Sequence, residues 1–332
     1  MNKLSFVLKK ILLYCSLLLA IISINFALLN LLPGDPLEYY LGENAYYSLL
    51  EYHPEDIPAI REKYGLDLPL SQQYVQYLKS MITFDFGKSY SNGEDISSLI
   101  LFRLKWTLIL TLPAIVISAI AGLLLGSVAG YNHGKPLDNI LTPLMTILNG
   151  IPTHCMAIII VIFFAAFPGI LPLSGMTSGG LSGFAKVLDV AKHMILPGST
   201  ITLFRTSHNY LFVRQTTMSL KSENFVATAF TKGLKPSRLI FHHILPNIIL
   251  PYITMICMQF GGAISGSLLI ENVFSWKGMG TLIRKSVETL DYPTIYACLF
   301  LLSICVVVAN IVADILCVVF DPRANEEKEA AA

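Results

Sequence analysis

A reactive side chain needs a partner at the right spacing, and few residues in this sequence meet that test. Gly180-Leu181-Ser182-Gly183 has the G-x-S-G pattern of an intramembrane serine nucleophile. Such a serine needs a buried histidine, yet this one lies in a glycine-rich polar loop and the last apolar run holds no histidine. Gly87-Lys88-Ser89 ends like a phosphate-binding loop, but the earlier glycine that loop requires is replaced by Ile82. His53, His133, His154, His193, His208, His242 and His243 are dispersed without ligand spacing, so no metal site is expected. Cys15, Cys155, Cys257, Cys298, Cys305 and Cys317 all fall within apolar runs and form no C-x-x-C pair, which makes them packing residues.

Arg205 stands apart. It lies about eleven residues into an apolar run that starts at Met194, roughly 16 Å at 1.5 Å per residue, and so near the centre of a bilayer. A guanidinium there costs about 2.5–3.5 kcal/mol even at a helix centre, so it must find a carboxylate, carbonyls or water. Two arrangements satisfy it. One is a buried pair, for instance with Asp314; the other places Arg205 beside His154 and His208 along a polar path through the bilayer, where it contacts a carboxylate or a backbone carbonyl.

The medium follows from composition. Of 332 residues, 54% are hydrophobic and only 14% charged, and the mean hydropathy is +0.62. This describes a polytopic membrane protein and excludes a soluble domain. A net charge of +1 without a long basic tract gives no reason to expect nucleic acid.

Six apolar runs are expected to span. The first, 11–32, follows Lys3, Lys9 and Lys10 and stops at Pro33-Gly34-Asp35-Pro36. The segment 33–105 carries eleven Asp and Glu against six Lys and Arg and is placed outside the cell, mostly helical. The second run, 106–131, has a small residue at every fourth position: Ala114, Ser118, Gly122, Gly126 and Gly130. That stripe marks a tightly packed helix face. The third is broken at Gly150-Ile151-Pro152, which should kink it. The fourth is 194–213, and the fifth, 246–270, carries a second packing face at Gly262 and Gly266. Residues 271–293 form an external turn and 294–320 the sixth span, leaving both termini in the cytoplasm with a modest excess of Lys and Arg on that side.

Between the fourth and fifth runs lies an elbow too short and too charged to cross. Ser222 is expected to cap a first short helix in which Val226, Ala229 and Phe230 share a face, Gly233 to end it, and Pro236 to start a second short helix. Phe225, Val226 and Phe230 need another surface to cover them.

This elbow resembles the EAA motif of binding-protein-dependent ABC importer permeases. Ala227-Thr228-Ala229 occupies the E-A-A place, with Glu223 one turn earlier, and Thr231-Lys232-Gly233-Leu234 and His243-Ile244-Leu245-Pro246 follow as in the peptide and nickel branch. Pro33-Gly34-Asp35-Pro36, Tyr64-Gly65-Leu66-Asp67, Phe84-Asp85-Phe86-Gly87, Leu171-Pro172-Leu173-Ser174-Gly175, Glu271 to Leu282, and Asp321-Pro322-Arg323 are similar to successive family landmarks. Lys277 stands where the family has proline, and the family's usual arginine matches Arg214.

The resemblance implies an all-α fold of type I importer architecture with six transmembrane helices. It divides the chain into 1–32, an extracytoplasmic region 33–105, a core 106–320 containing a coupling elbow at 215–246, and a tail 321–332. It implies that Glu223, Phe225, Val226, Ala227, Ala229, Lys232, Gly233, Leu245 and Pro246 dock an ATPase. The implied partners are a second homologous permease, two ATPase subunits, an extracytoplasmic substrate-binding protein and the lipid of the bacterial cytoplasmic membrane. The chain itself would bind no cofactor, ATP and Mg acting through the ATPases, and it would not be an enzyme. The implied cargo is a peptide, with nickel or a metal chelate as the alternative. Outside the family, the rival is an ion-coupled secondary transporter working alone.

Overall fold

A computed structural model describes residues 3–31, 35–89, 91–167 and 169–320. The landmarks at Pro33-Gly34 and Asp321-Pro322-Arg323 lie outside the described residues. Among those described, helices dominate and are organised in two compact units, Met1–Trp106 with Gly278–Val307 and Thr107–Lys277 with Val308–Ala332.

In the first unit, α1 (Lys3–Leu31) is followed by four shorter helices, α2 (Pro36–Leu41), α3 (Glu43–Tyr52), α4 (Ile57–Lys63) and α5 (Leu70–Thr83). One carboxylate gathers three of them. Asp35 accepts the Leu37 amide at 3.0 Å and so caps α2, accepts the Tyr46 hydroxyl of α3 at 2.9 Å, and pairs with Arg61 of α4. The α5 helix packs on α1 through the Ser23 and Tyr74 hydroxyls at 2.6 Å and a core of Ile22, Met81 and Phe300. Helix α14 (Met279–Glu288) precedes Asp291, which accepts the Ser89 hydroxyl at 2.5 Å just before α15 (Tyr292–Phe320). The stretch expected as a plain turn, 271–293, is therefore largely helical.

The second unit is built around α9 (Gly183–Lys221), far longer than the run of 194–213 expected for it. It packs against α7 (Pro136–Gly150), α8 (Thr153–Val161), α12 (Leu245–Gly261) and α13 (Ala263–Val273). Arg205, His208, Asn209 and Arg214 make α9 too polar to face lipid over its length, so a central place among other helices suits it. The expected break falls between α7 and α8, which meet at 104° on either side of Ile151-Pro152. A five-residue π-helical stretch, Ile162–Ala166, extends α8.

Among the described residues three helical stretches are long and apolar enough to cross a bilayer: α6 (Ile96–Tyr131), Pro236–Gly261 and Tyr292–Leu316. The bent pair makes a fourth if counted as one span, and the apolar part of α1, Leu12–Leu28, is shorter. The expected fifth span of 246–270 is interrupted, because α12 ends at Gly261 and α13 begins at Ala263.

The small-residue stripe of α6 lies directly on α9. A Cβ at Gly126 would sit 2.8 Å from the Tyr210 carbonyl oxygen, one at Gly130 2.6 Å from that of Arg214, and one at Gly122 against Asn209. Ala114 and Ser118 continue the buried face. Gly262 behaves differently: a Cβ there would meet only the Met258 carbonyl of its own helix, at 3.7 Å, so Gly262 marks the α12–α13 break and makes no close crossing. The surroundings of Gly266 lie outside the described residues.

Gly126→Val is expected to push α6 off α9 and destabilise the protein by about 2 kcal/mol, read as a lower thermal midpoint in detergent. Gly150→Ala adds a methyl where nothing lies within 4 Å and should leave the midpoint unchanged.

Candidate functional site

The elbow begins where α9 ends. Ser222 does not cap the next helix; it closes α9, its hydroxyl donating to the Ser219 carbonyl at 2.7 Å. Glu223 takes the cap position of α10 (Asn224–Thr231) with extended backbone and no side-chain hydrogen bond to the helix. Lys232 ends α10, and Gly233, at φ +77°, turns the chain in a conformation that side-chain-bearing residues rarely adopt. Then α11 (Pro236–Leu239) starts with proline at its first position, as expected. It is not a separate short helix. A π-helical stretch, Ile240–Ile244, joins it to α12, so the second half of the elbow and the following span form one helical rod.

The faces of α10 divide cleanly. Val226 and Ala229 are buried in a core with Tyr131, Val213, Leu239 and Ile244, and Leu245 packs against the same cluster. On the other side Phe225 is 41% and Phe230 64% exposed, with Glu223, Ala227, Lys232, Gly233 and Pro246 also exposed. The expectation that Val226 waits for an outside partner is thus corrected: the chain buries Val226 itself and leaves the two phenylalanines uncovered. Lys221 fixes the joint, donating to the Tyr131 carbonyl at 2.7 Å with its ammonium 4.9 Å from the Tyr131 ring centroid.

About two turns before the end of α9, Arg214 locks it to α7. Arg214 grips Asp138 with two donors, Nε to Oδ1 at 2.5 Å and Nη2 to Oδ2 at 2.9 Å. Asp138 is buried and also accepts the Gly134 amide at 3.1 Å and the Thr142 hydroxyl at 2.8 Å, while Tyr210 reaches Thr142 at 2.8 Å. His133 Nδ1 lies 2.8 Å from the same carboxylate.

Deeper along α9 runs a chain of neutral polar groups ending on Arg205. Asn209 Nδ2 lies 3.5 Å from the Ser118 hydroxyl, Gln259 Nε2 donates to Asn209 Oδ1 at 2.6 Å, and Arg205 Nη1 donates to Gln259 Oε1 at 3.2 Å. Arg205 also lines a cavity of about 110 Å³ with Thr111, Thr153, Ser267 and Ile270. His154 and His208 are exposed and do not line it. The expected grouping of Arg205 with the two histidines is therefore absent from this cavity, although Thr153, at the α7–α8 break, does reach it.

Three groups here escape a reading of the sequence. Asp138, two residues after the helix-starting Pro136, carries a recognisable first-turn signal, but only the fold shows that Arg214 answers it. Glu271, expected in an external turn, is fully buried and accepts the Thr107 and Ser267 hydroxyls at 2.7 and 3.0 Å. Asn209 and Gln259 are isolated amides in apolar runs, and nothing in their spacing joins them.

Two family profiles match the chain: "Binding-protein-dependent transport system inner membrane component" over residues 122–326, and the N-terminal "Binding-prot-dependent transport system membrane comp" over residues 3–111. The glutathione transport system permease protein GsiC of Salmonella choleraesuis is 30% identical over 96% of this chain and 98% of its own length. The oligopeptide transport system permease protein AppB of Bacillus subtilis is 28% identical over the same shares. The di/tripeptide transport system permease protein DppB of Pseudomonas aeruginosa is 28% identical over 98% of this chain and all of its own length.

Asp138→Asn keeps the shape but removes the charge that Arg214 grips, and is expected to destabilise the protein by about 3 kcal/mol. Arg214→Lys should lower the same denaturation midpoint, because an ammonium cannot reproduce the two-pronged geometry.

Proposed function

The chain belongs to the family of inner membrane components of binding-protein-dependent transport systems, and on that premise we propose that it is one permease subunit of an ATP-driven importer carrying peptides across the bacterial cytoplasmic membrane. A permease is not itself the catalyst: hydrolysis of ATP with Mg belongs to two partner ATPase subunits. A second homologous permease and an extracytoplasmic binding protein complete the assembly, and this chain crosses the bilayer six times with both termini in the cytoplasm. Peptide as cargo is supported by relatives whose names specify glutathione, oligopeptides and di- or tripeptides. Membership of this family sets aside both the lone ion-coupled transporter and the intramembrane protease.

The observation that carries this proposal is the division of α10 into a face sealed by its own chain and an exposed face bearing Phe225, Ala227 and Phe230. The exposed face enters a groove of the ATPase, and Val226 and Ala229 bond it to the ends of α9 and α12. A displacement of the groove on nucleotide closure then drives both spans. Helix α9 carries α7 with it through Arg214 and Asp138, and α6 through the glycine stripe. The path runs between this subunit and the homologous permease, with Arg205 presenting donors to peptide carboxylates or carbonyls as the cavity opens.

Gly233→Val places a β-branched residue at positive φ and should re-aim α10. ATP hydrolysis stimulated by the substrate-loaded binding protein should fall at least tenfold, or the ATPase should dissociate on purification. Normal assembly together with normal stimulated hydrolysis would overturn the coupling role. Arg205→Met should leave assembly and basal hydrolysis intact while peptide uptake falls; normal uptake removes Arg205 from the path.

A further inference from the structure

The unit formed by Met1–Trp106 and Gly278–Val307 holds a concavity that plays no part in the coupling route. Its volume is about 630 Å³, within the range of roughly 300–1,000 Å³ seen for small-molecule sites. Aromatic rings make much of its lining. Tyr40 stacks on Tyr64 with centroids 5.2 Å apart, Tyr292 stacks on Tyr296 at 6.4 Å, and Phe26 and Phe86 join them. Residues of both charge signs also line it, Lys63 and Lys88 against Asp85. Lys63 lies 6.0 Å from the Tyr64 ring centroid, which places one cation against the aromatic wall.

Tyr77 is another of its lining residues. Its hydroxyl is buried and has no hydrogen-bond partner, and its ring is held 5.6 Å from that of Phe26. A sheltered hydroxyl without a partner forfeits about 1–3 kcal/mol, which an acceptor supplied by a ligand restores. Burial raises the phenol above its ordinary pKa, so it keeps its proton and can donate.

We propose that this pocket is a staging site for a short peptide with free termini. The terminal carboxylate sits on Lys63 or Lys88 and takes the Tyr77 hydroxyl, the terminal ammonium faces Asp85 and the rings, and the peptide side chains lie on the aromatic surfaces. Opposite charges set around flat apolar walls match a zwitterion with variable side chains better than a simple anion or cation. The assignment rests on peptide as the cargo. Aromatic side chains also collect at the headgroup level of membranes, and phosphatidylethanolamine carries the same two charges, so the test separates a dissolved peptide from a lipid.

Trialanine binding to the full chain in phosphatidylglycerol nanodiscs, followed by calorimetry or saturation-transfer NMR, provides that test. Trialanine should bind, and the N-acetylated, C-amidated form should bind at least tenfold more weakly. Tyr77→Phe, which keeps the ring, and Lys63→Gln with Lys88→Gln should each weaken trialanine by about tenfold. Equal affinity for the capped peptide, unchanged affinity in both variants, or loss of binding when phosphatidylethanolamine is added would overturn the proposal, the last by naming a lipid as occupant. In the assembled importer these variants should raise the KM for trialanine uptake. An unchanged KM removes the pocket while peptide import stands, whereas a wild-type complex that moves no peptide removes both.

Discussion

Two helices in contact backbone to backbone cannot slide or tilt independently, and the crossing of α6 on α9 imposes that constraint on everything attached to them. In hydrocarbon no apolar gain comes from pressing one greasy face on another, so close approach over Gly122, Gly126 and Gly130 is what makes the crossing adhere. Tyr252 of α12 adds a further tie to α6, donating to the Ala119 carbonyl at 2.7 Å. With α6 fixed on one side, α9 directs Arg214 to Asp138 of α7 and Arg205 and Asn209 to Gln259 of α12.

The polar groups of α9 are answered in two different ways. Arg214 meets a full carboxylate with two short hydrogen bonds, and that carboxylate is saturated by a backbone amide and a hydroxyl as well. Arg205 meets a neutral amide through a single 3.2 Å bond, although its guanidinium carries five N–H donors. The first arrangement is a fastening, because loosening it would leave a charge behind. The second leaves donors in reserve beside an open volume, which suits a residue that exchanges partners.

Much of this was legible in the sequence, and the reasons differ from residue to residue. The stripe from Ala114 to Gly130 could be read because a packed face in lipid demands small residues at helical spacing, a local rule. Gly233 and Pro236 could be read because turn chemistry is local too. The expectation failed where the deciding contact is remote. Val226 was expected to await a partner subunit, yet its cover comes from Tyr131, Val213 and Ile248 of its own chain, and no spacing rule connects those positions. Ser222 was expected to cap α10, but α9 runs on to Lys221 and claims its hydroxyl. Glu271 looked like a loop residue because acids favour water; Thr107, more than a hundred and sixty positions earlier, supplies the hydroxyl that admits it to the interior.

The π-helical stretch between α11 and α12 sets a rotational phase. A wider turn there lets Ile240 and Ile244 point the same way, in line with Ile248 and Tyr252 on the rod that follows, and all four are buried. In an uninterrupted α-helix each residue advances the direction by about 100°, so positions four apart drift by about 40° per step, and the wider turn takes up one such step. The single additional residue held in this turn therefore acts as an angular offset between elbow and span. Its removal would leave the length of the rod almost unchanged while turning α11 about the axis of α12, so the burial of Leu239 and Ile240 depends on the count of residues from Ile240 to Ile244.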